Sequence, residues 1–555
     1  MKKEIRKFLI LAIALLPAAA FAQPVIGTGG VLNVASYAFN GLPNSGIAQG
    51  SMFAVFGKRM GPAALQQINS FPLPLNLAGT SIKVSVSGTT VDAFLIYTSD
   101  AQLAAILPSN TPIGTGTITV TYNSQTSPAA PIRVVKSSFG AFAVNQAGSG
   151  PSVVQNVVSE TDRPVNSLTK AARPGQYMIL WGVGLGPVTG NEAAGVIPGD
   201  LSTAVEVYVG NKLAKITYKG RSGCCSGIDQ VVFIVPDGVE GCYVPIAVKI
   251  GDIVSNYTTM AISKTSDVCS DPTSFSEQDL RTAQKNGVFR TGAISLSRSA
   301  LNISFGGISA QSNTDSASGA FYKFTYDNLM SEAALSSTSI GACTVSTYQT
   351  AAATAVPGLP ETLDAGPAIT LVGPKGTKQL TKVTGGLYTA DLGGGLSGVP
   401  GLPAAQPLYL DPGTYTVDNG SGGSGANAVG AFRATLTVTP FLKWENQSSI
   451  TTVNRTQPLR LTWSGGDPNG MVIIFGGSAT AAPVVGASFF CIEKAGAGQF
   501  TVPASVLLAM PVTGTDAGGV LAVSGTSGLT AFTASGLDSG SVSAVAASIS
   551  TVSFQ

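Results

Sequence analysis

The chain contains a long internal repeat. Gly50, Gly57, Gly61 and Pro62 in GSMFAVFGKRMGP recur as Gly175, Gly182, Gly186 and Pro187 in GQYMILWGVGLGP, each 125 positions later. The apolar run between the glycines reads as a buried strand, and the Gly-Pro end reads as a turn. A second match follows in the same order: QLAAILP from Gln102 to Pro108, and QVVFIVP from Gln230 to Pro236. Each is followed by a turn and an alternating strand, Ile118 to Val120 and Ile246 to Val248, where period two marks a half-buried strand. The spacing exceeds the roughly 20–50 residues of solenoid units and implies duplicated domains. Chance similarity between β segments does not explain four fixed positions plus a second ordered match.

Composition supports a β-rich reading. Charged residues make up 11% of the chain, against about 25% in ordinary domains, and Gly reaches 67. Such a mix suits sandwiches with many turns; disorder needs low hydrophobicity and high net charge. The first 22 residues read as an export signal: a basic start (Lys2, Lys3, Arg6, Lys7), an apolar run from Phe8 to Leu16, and Ala20-Phe21-Ala22 as a small-x-small cleavage site. The run is shorter than the roughly 20 residues that span a bilayer. Cleavage would take the formal charge from +2 to −1. A nearly neutral chain offers no electrostatic footprint for nucleic acid. The expected address is secreted or cell-surface, with the periplasm as the alternative, and no integral membrane segment after cleavage.

There is no histidine. Its absence removes Ser-His-Asp triads, Cys-His pairs and HExxH zinc sites. We expect no catalytic, cofactor-binding or metal residues. The six cysteines, even in number, are candidates for disulfides in an exported chain. Cys242 opens a strand and Cys269 follows the next one back, so the two should share an end of the module, and Cys242–Cys269 is the favoured pair. Cys224 and Cys225 sit in an insertion: four residues separate Tyr97 from Gln102, but eleven separate Tyr218 from Gln230. They would bond to each other or stay reduced. If the inserted loop folds back, each would instead take one of the other two. The loop is either a binding loop or a braced one. Cys343 and Cys491 form a bridge between the third and fourth regions or remain buried thiols.

In order, VLNVASYAFNGLPNSGIAQGSMFAVFG, YTSDAQLAAILP, AARPGQYMILWGVGLGP, GIDQVVFIVP and GDIVSNYTTMAI resemble a family of uncharacterised secreted bacterial proteins with paired immunoglobulin-like modules of the IPT/TIG kind. The resemblance covers roughly residues 25–265 and implies a fold and an export route, but no activity. The expected architecture is therefore all-β, with tandem immunoglobulin-like β-sandwich domains. Its parts are a signal peptide (1–22), a first module (23–136), a second module with the cysteine loop (137–264), a linker with a short helix (265–287), a β-rich domain (288–440) and a C-terminal sandwich (441–555). In the linker, Ser276 and Asp279 bracket a helix start, and Asn286-Gly287 mark its stop. The glycine-rich stretch 419–430 lacks a GK[ST] ending and reads as a flexible hairpin loop rather than a phosphate cradle.

The leading functional expectation is a non-catalytic adhesion or scaffold protein whose partner is an extracellular protein or polysaccharide. The alternative is a carbohydrate-binding protein, supported by three tryptophans and fourteen tyrosines and tested by a row of exposed aromatic residues on one face. Trp463 is expected in a core. A two-carboxylate hydrolase would need a pair about 5–9 Å apart; the scattered acids mark none, and this reading ranks last.

Overall fold

Strands follow from the alternating apolar pattern, and turn residues set where they stop. The computed structural model describes residues 23–271, 275–305, 308–332, 338–349, 360–383, 385–397, 405–481, 484–513 and 518–555. The expected signal segment 1–22 lies outside them. In the first module one sheet runs, in order, Val25–Asn33, Met52–Lys58, Gln102–Ile106, Phe94–Thr98 and Gln66–Gln67. Facing it are Ile47–Ala48, Ala130–Val135, Gly114–Tyr122, Thr80–Val86 and Thr89–Asp92. The Ile47–Ala48 strand pairs parallel with Ala130–Val135. In immunoglobulin lettering the first four strands of one sheet are A-B-E-D, with the short Gln66–Gln67 strand added at the edge, against A′-G-F-C-C′.

The second module repeats the plan. Gly140–Ala141, Tyr177–Val183, Asp229–Ile234, Lys215–Arg221 and Gly199–Asp200 form one sheet. Lys212–Leu213, Glu206–Val209 and Gly241–Ile250 form the other, with Thr258–Ile262 paired to the last. The sequence repeat thus falls on strands B, E and F. Strands E and F lie in opposite sheets, so the turn between Ile234 and Gly241 carries the chain across the sandwich. Buried side chains such as Phe53 and Phe233 fill the two interiors, each contributing about 1.5–3 kcal/mol by its removal from water.

The repeated glycines have distinct physical reasons. Gly50 and Gly175 take φ of 68° and 80° just before strand B, a left-handed turn that disfavours other residues. Gly57 and Gly182 lie under a crossing backbone: a β-carbon there would come within 2.1 Å of the Val25 carbonyl oxygen and 2.3 Å of that of Gly140.

The described parts of 265–287 form a docked element. Its helix spans Glu277–Asn286, closed by Ser276 and Asp279 in a reciprocal capping box and by Gly287 in a left-handed turn. Leu280 and Ala283 pack with Leu168, Cys242, Cys269 and Phe289.

The second half departs from the expected division at 440. One sheet of fourteen strands includes Val288–Phe305, Ile308–Thr325 and Arg433–Val438 together with Met471–Ala479, Gly519–Phe532 and Ser539–Phe554. Thr291 to Asn302 pair in parallel with Ser539 to Ser550. Two cores persist, but the last two strands thread both. Leu521, Val523, Val552 and Phe554 join the core around Trp444 and Trp463, while Phe532, Val542 and Ala544 join that around Phe321 and Tyr415. Hydrogen bonding and packing therefore carry the first lobe past 440 into residues that the sequence reading assigned to a separate sandwich. Leu42, Ala247, Val254 and Tyr257, from the two front modules, are buried in the Trp444 core, which ties the front modules to the second half.

Candidate functional site

The cysteine loop lies at the seam between the first two modules. It spans residues 222–228 and closes the hairpin of Lys215–Arg221 and Asp229–Ile234, whose last paired residues are Arg221 and Asp229. Both side chains are buried and form an ion pair. The Arg221 guanidinium also donates to the carbonyl of Gly50 in the first module (2.6 Å) and to that of Gly186 (2.8 Å). Asp229 accepts from the Leu185 N–H at 2.8 Å. Burial pushes the Asp229 carboxyl up from its ordinary value, against the pull of Arg221 and of the Leu185 and Gly184 N–H groups. A β-carbon on Gly50 would lie 2.5 Å from Arg221 Nη2, so only glycine admits the guanidinium here.

Glu192 adds a second clamp. Its carboxylate accepts from the Ser109 N–H (2.8 Å) and hydroxyl (2.9 Å), and Ser109 Oγ in turn accepts from the Val188 N–H at 2.9 Å. Behind these polar contacts Ile228 packs with Met52, Leu73, Ile106 and Val183 from both modules.

The structure joins Cys224 to Cys225, Cys242 to Cys269 and Cys343 to Cys491. The first pair sits at the loop tip, with Cys224 exposed and Cys225 half-buried. The space enclosed behind the loop is about 10 Å³, at or below the minimum for a single water. The geometry is that of a braced loop and leaves no room there for a ligand. Cys242–Cys269 ties strand F to the segment that leads into the helix. Cys343 and Cys491 face each other across paired strands, inside the shared sheet. Sequence reading singled out the cysteines and missed Arg221, Asp229 and Glu192. Two charges bracketing an insertion, in a chain so poor in charge, were the available signal.

A different surface is open. On strand B of the second module Met178 and Leu180 enter the core while Tyr177, Ile179 and Trp181 take the other face. Cross-strand pairing sets Ile179 beside Val232 and Val232 beside Tyr218, with Trp181 beside Gln230 and Tyr177 beside Ile234. A groove of about 370 Å³ runs over this face, lined by Tyr177, Tyr218, Ile179, Val232, Gln230 and Arg163, with Val157 at its side. Tyr177 is 49% exposed, and Trp181 is half-buried with Nε1 donating to Gln155 at 2.8 Å. The other two tryptophans are buried: Trp463 Nε1 donates to the Ala495 carbonyl at 2.8 Å and Trp444 Nε1 to Asn446 at 2.9 Å.

Among the described residues no helix is long and apolar enough to cross a membrane, and no group of three or more Cys, Asp or Glu is placed to hold a metal.

No family model matches the chain, and no curated protein matches it. Among solved structures, similarity is found to a Bacteroides ovatus mixed-linkage glucan utilization locus protein, SGBP-B, in complex with a heptasaccharide (10% identity, 40% of this chain and 45% of that one, TM-score 0.19). Domains 5-6 of the S-layer protein SbsC match at 15% identity over 44% of this chain and all of that one, TM-score 0.15. The FN1-FN3 domains of chicken CNTN1 match at 10% identity over 74% and 94%, TM-score 0.12. The chain spans less than half the length of the glucan protein that it matches. At such scores these likenesses carry no functional argument. The immunoglobulin-like assignment rests on the strand order itself.

Proposed function

We propose that the chain is a non-catalytic, exported scaffold: a stiff tandem-sandwich body that serves in adhesion or surface architecture. One observation carries this reading: the parts are locked to one another. Arg221 bonds across the seam of the first two modules, and residues of both modules are buried in the Trp444 core of the second half. Flexibly linked domains lack such buried cross-links. The lack of histidine and the disulfides between buried cysteines fit a structural role outside the reducing cytoplasm. An alternative, an extracellular carbohydrate-binding protein, is favoured by the aromatic groove of the second module.

The test is to apply labelled chain, from Gln23 onward, to whole cells of the producing strain and to a glycan array. Saturable cell binding without chemical change to any glycan is expected. Turnover of an arrayed glycan, or no cell binding at any concentration, would overturn the proposal.

A further inference from the structure

The groove on the outer face of the second module has a definite chemistry. Tyr177 and Tyr218 stand on strands either side of Asp229–Ile234, roughly 10 Å apart at the usual strand spacing. Ile179 and Val232 form an apolar floor between them, and the Gln230 amide offers a neutral donor and acceptor. Arg163 is the one charged residue lining the groove. It is exposed, and no ion pair to it is found among the described residues. No carboxylate lines the groove. Lys215, paired with Ile234 in the row that also holds Tyr177, adds a second cation on the same face.

We infer that this groove binds an acidic polysaccharide, one built of pyranose rings that carry carboxylates. The inference rests on the scaffold reading and names how such a scaffold would attach. Each feature has its counterpart in that ligand. Tyrosine rings pack against the apolar C–H faces of a sugar ring, and here the Tyr218 hydroxyl donates to the Arg221 carbonyl, which holds that ring in place. A guanidinium grips a carboxylate through two parallel N–H bonds, which a neutral sugar cannot return. An open groove across strands, rather than a closed pocket, suits a chain that enters on one side and leaves on the other. The acid-free lining makes the match to an anionic chain, and it disfavours a cationic one.

The experiment is affinity electrophoresis of the chain from Gln23 onward in gels containing polygalacturonate or neutral dextran. Polygalacturonate should retard the protein and dextran should not, and added salt should weaken the effect. Tyr177→Ala and Arg163→Gln should each weaken binding about tenfold, the scale of one lost ring contact or charged hydrogen bond. Arg163→Lys should keep part of the affinity. Equal retardation by dextran, or variants as tightly bound as the parent, would overturn the proposal. So would a dimer in sedimentation that Tyr177→Ala dissolves, since the groove would then be an interface between copies. If Tyr177→Ala fails to fold, Arg163→Gln still decides, because that side chain is exposed. Loss of polysaccharide binding alongside intact adhesion to cells would remove the groove and leave the scaffold. Loss of both in the parent protein would remove both.

Discussion

Gly50 and Gly175 occupy the same place in two copies of one module, yet they answer to different constraints. Both have left-handed backbones, which cost another residue about 1–2 kcal/mol. At Gly175 a β-carbon would meet nothing within 4 Å; at Gly50 it would strike Arg221 Nη2 and Ser109 Oγ, each at 2.5 Å. Gly175→Ala should therefore lower stability by about 1–2 kcal/mol. Gly50→Ala should cost more, by an added increment of about 1–3 kcal/mol when the buried guanidinium loses its carbonyl partner. Denaturant midpoints of the two variants check this. Equal losses would mean that the seam adjusts around the new methyl without disturbing Arg221. Repetition of glycines is visible in the sequence, but their reasons are not, because the clash at Gly50 comes from a side chain 171 positions away.

Among the elements, the glycine-rich loop 419–430 shows how a local reading falls short. Its composition predicts flexibility, yet a distant acid holds it. Asp364 accepts from the Ser424 N–H (3.3 Å), the Gly366 N–H (3.0 Å) and Lys382 Nζ (2.7 Å), and its backbone bonds to Asn427 and Val429. Lys382 and these N–H groups hold the Asp364 carboxyl down to about 2. A carboxyl with a depressed value in the folded state contributes stability above its unfolded value near 4, and that contribution is lost as pH falls through about 2. The chain should lose stability between roughly pH 4 and pH 2, and Asp364→Asn should flatten that part of the profile. Urea unfolding at a series of pH values measures it, and an unchanged slope in the variant would rule Asp364 out as its source. The short helix is the opposite case: Ser276, Asp279 and Gly287 are local signals, and the helix forms between them. The groove lies between these cases. An apolar run with no alternation, YMILW, signals that both faces of a strand are apolar, but which residues join it across the sheet emerges only from the pairing.

For the whole molecule, the duplication in the front half was legible from its repeat and its immunoglobulin plan was implied by the family resemblance, whereas the layout of the second half was not legible. The strands Gly519–Phe532 and Ser539–Phe554, mostly Gly, Ala, Ser and Val, pair antiparallel with each other, but nothing local names their outer neighbours Met471–Ala479 and Val288–Phe305, and a parallel neighbour leaves no hairpin signature. Because Phe532, Val542 and Ala544 complete the core around Phe321, residues 288–440 expressed alone should not unfold cooperatively, while 288–555 should. Calorimetry of the two fragments tests this. A sharp transition in the shorter one would show that the late strands are dispensable.

The parallel pairing of Thr291 with Ser539 also sets a clock. The two residues are 248 positions apart, so at about 5–20 residues per second the ribosome needs some 12–50 s to make the second after the first. Throughout that interval the Val288–Phe305 strand offers one unpaired edge, in a topology whose distant contacts already slow closure. The second half therefore cannot close on itself before its last strands arrive, a delay that would suit the export proposed above.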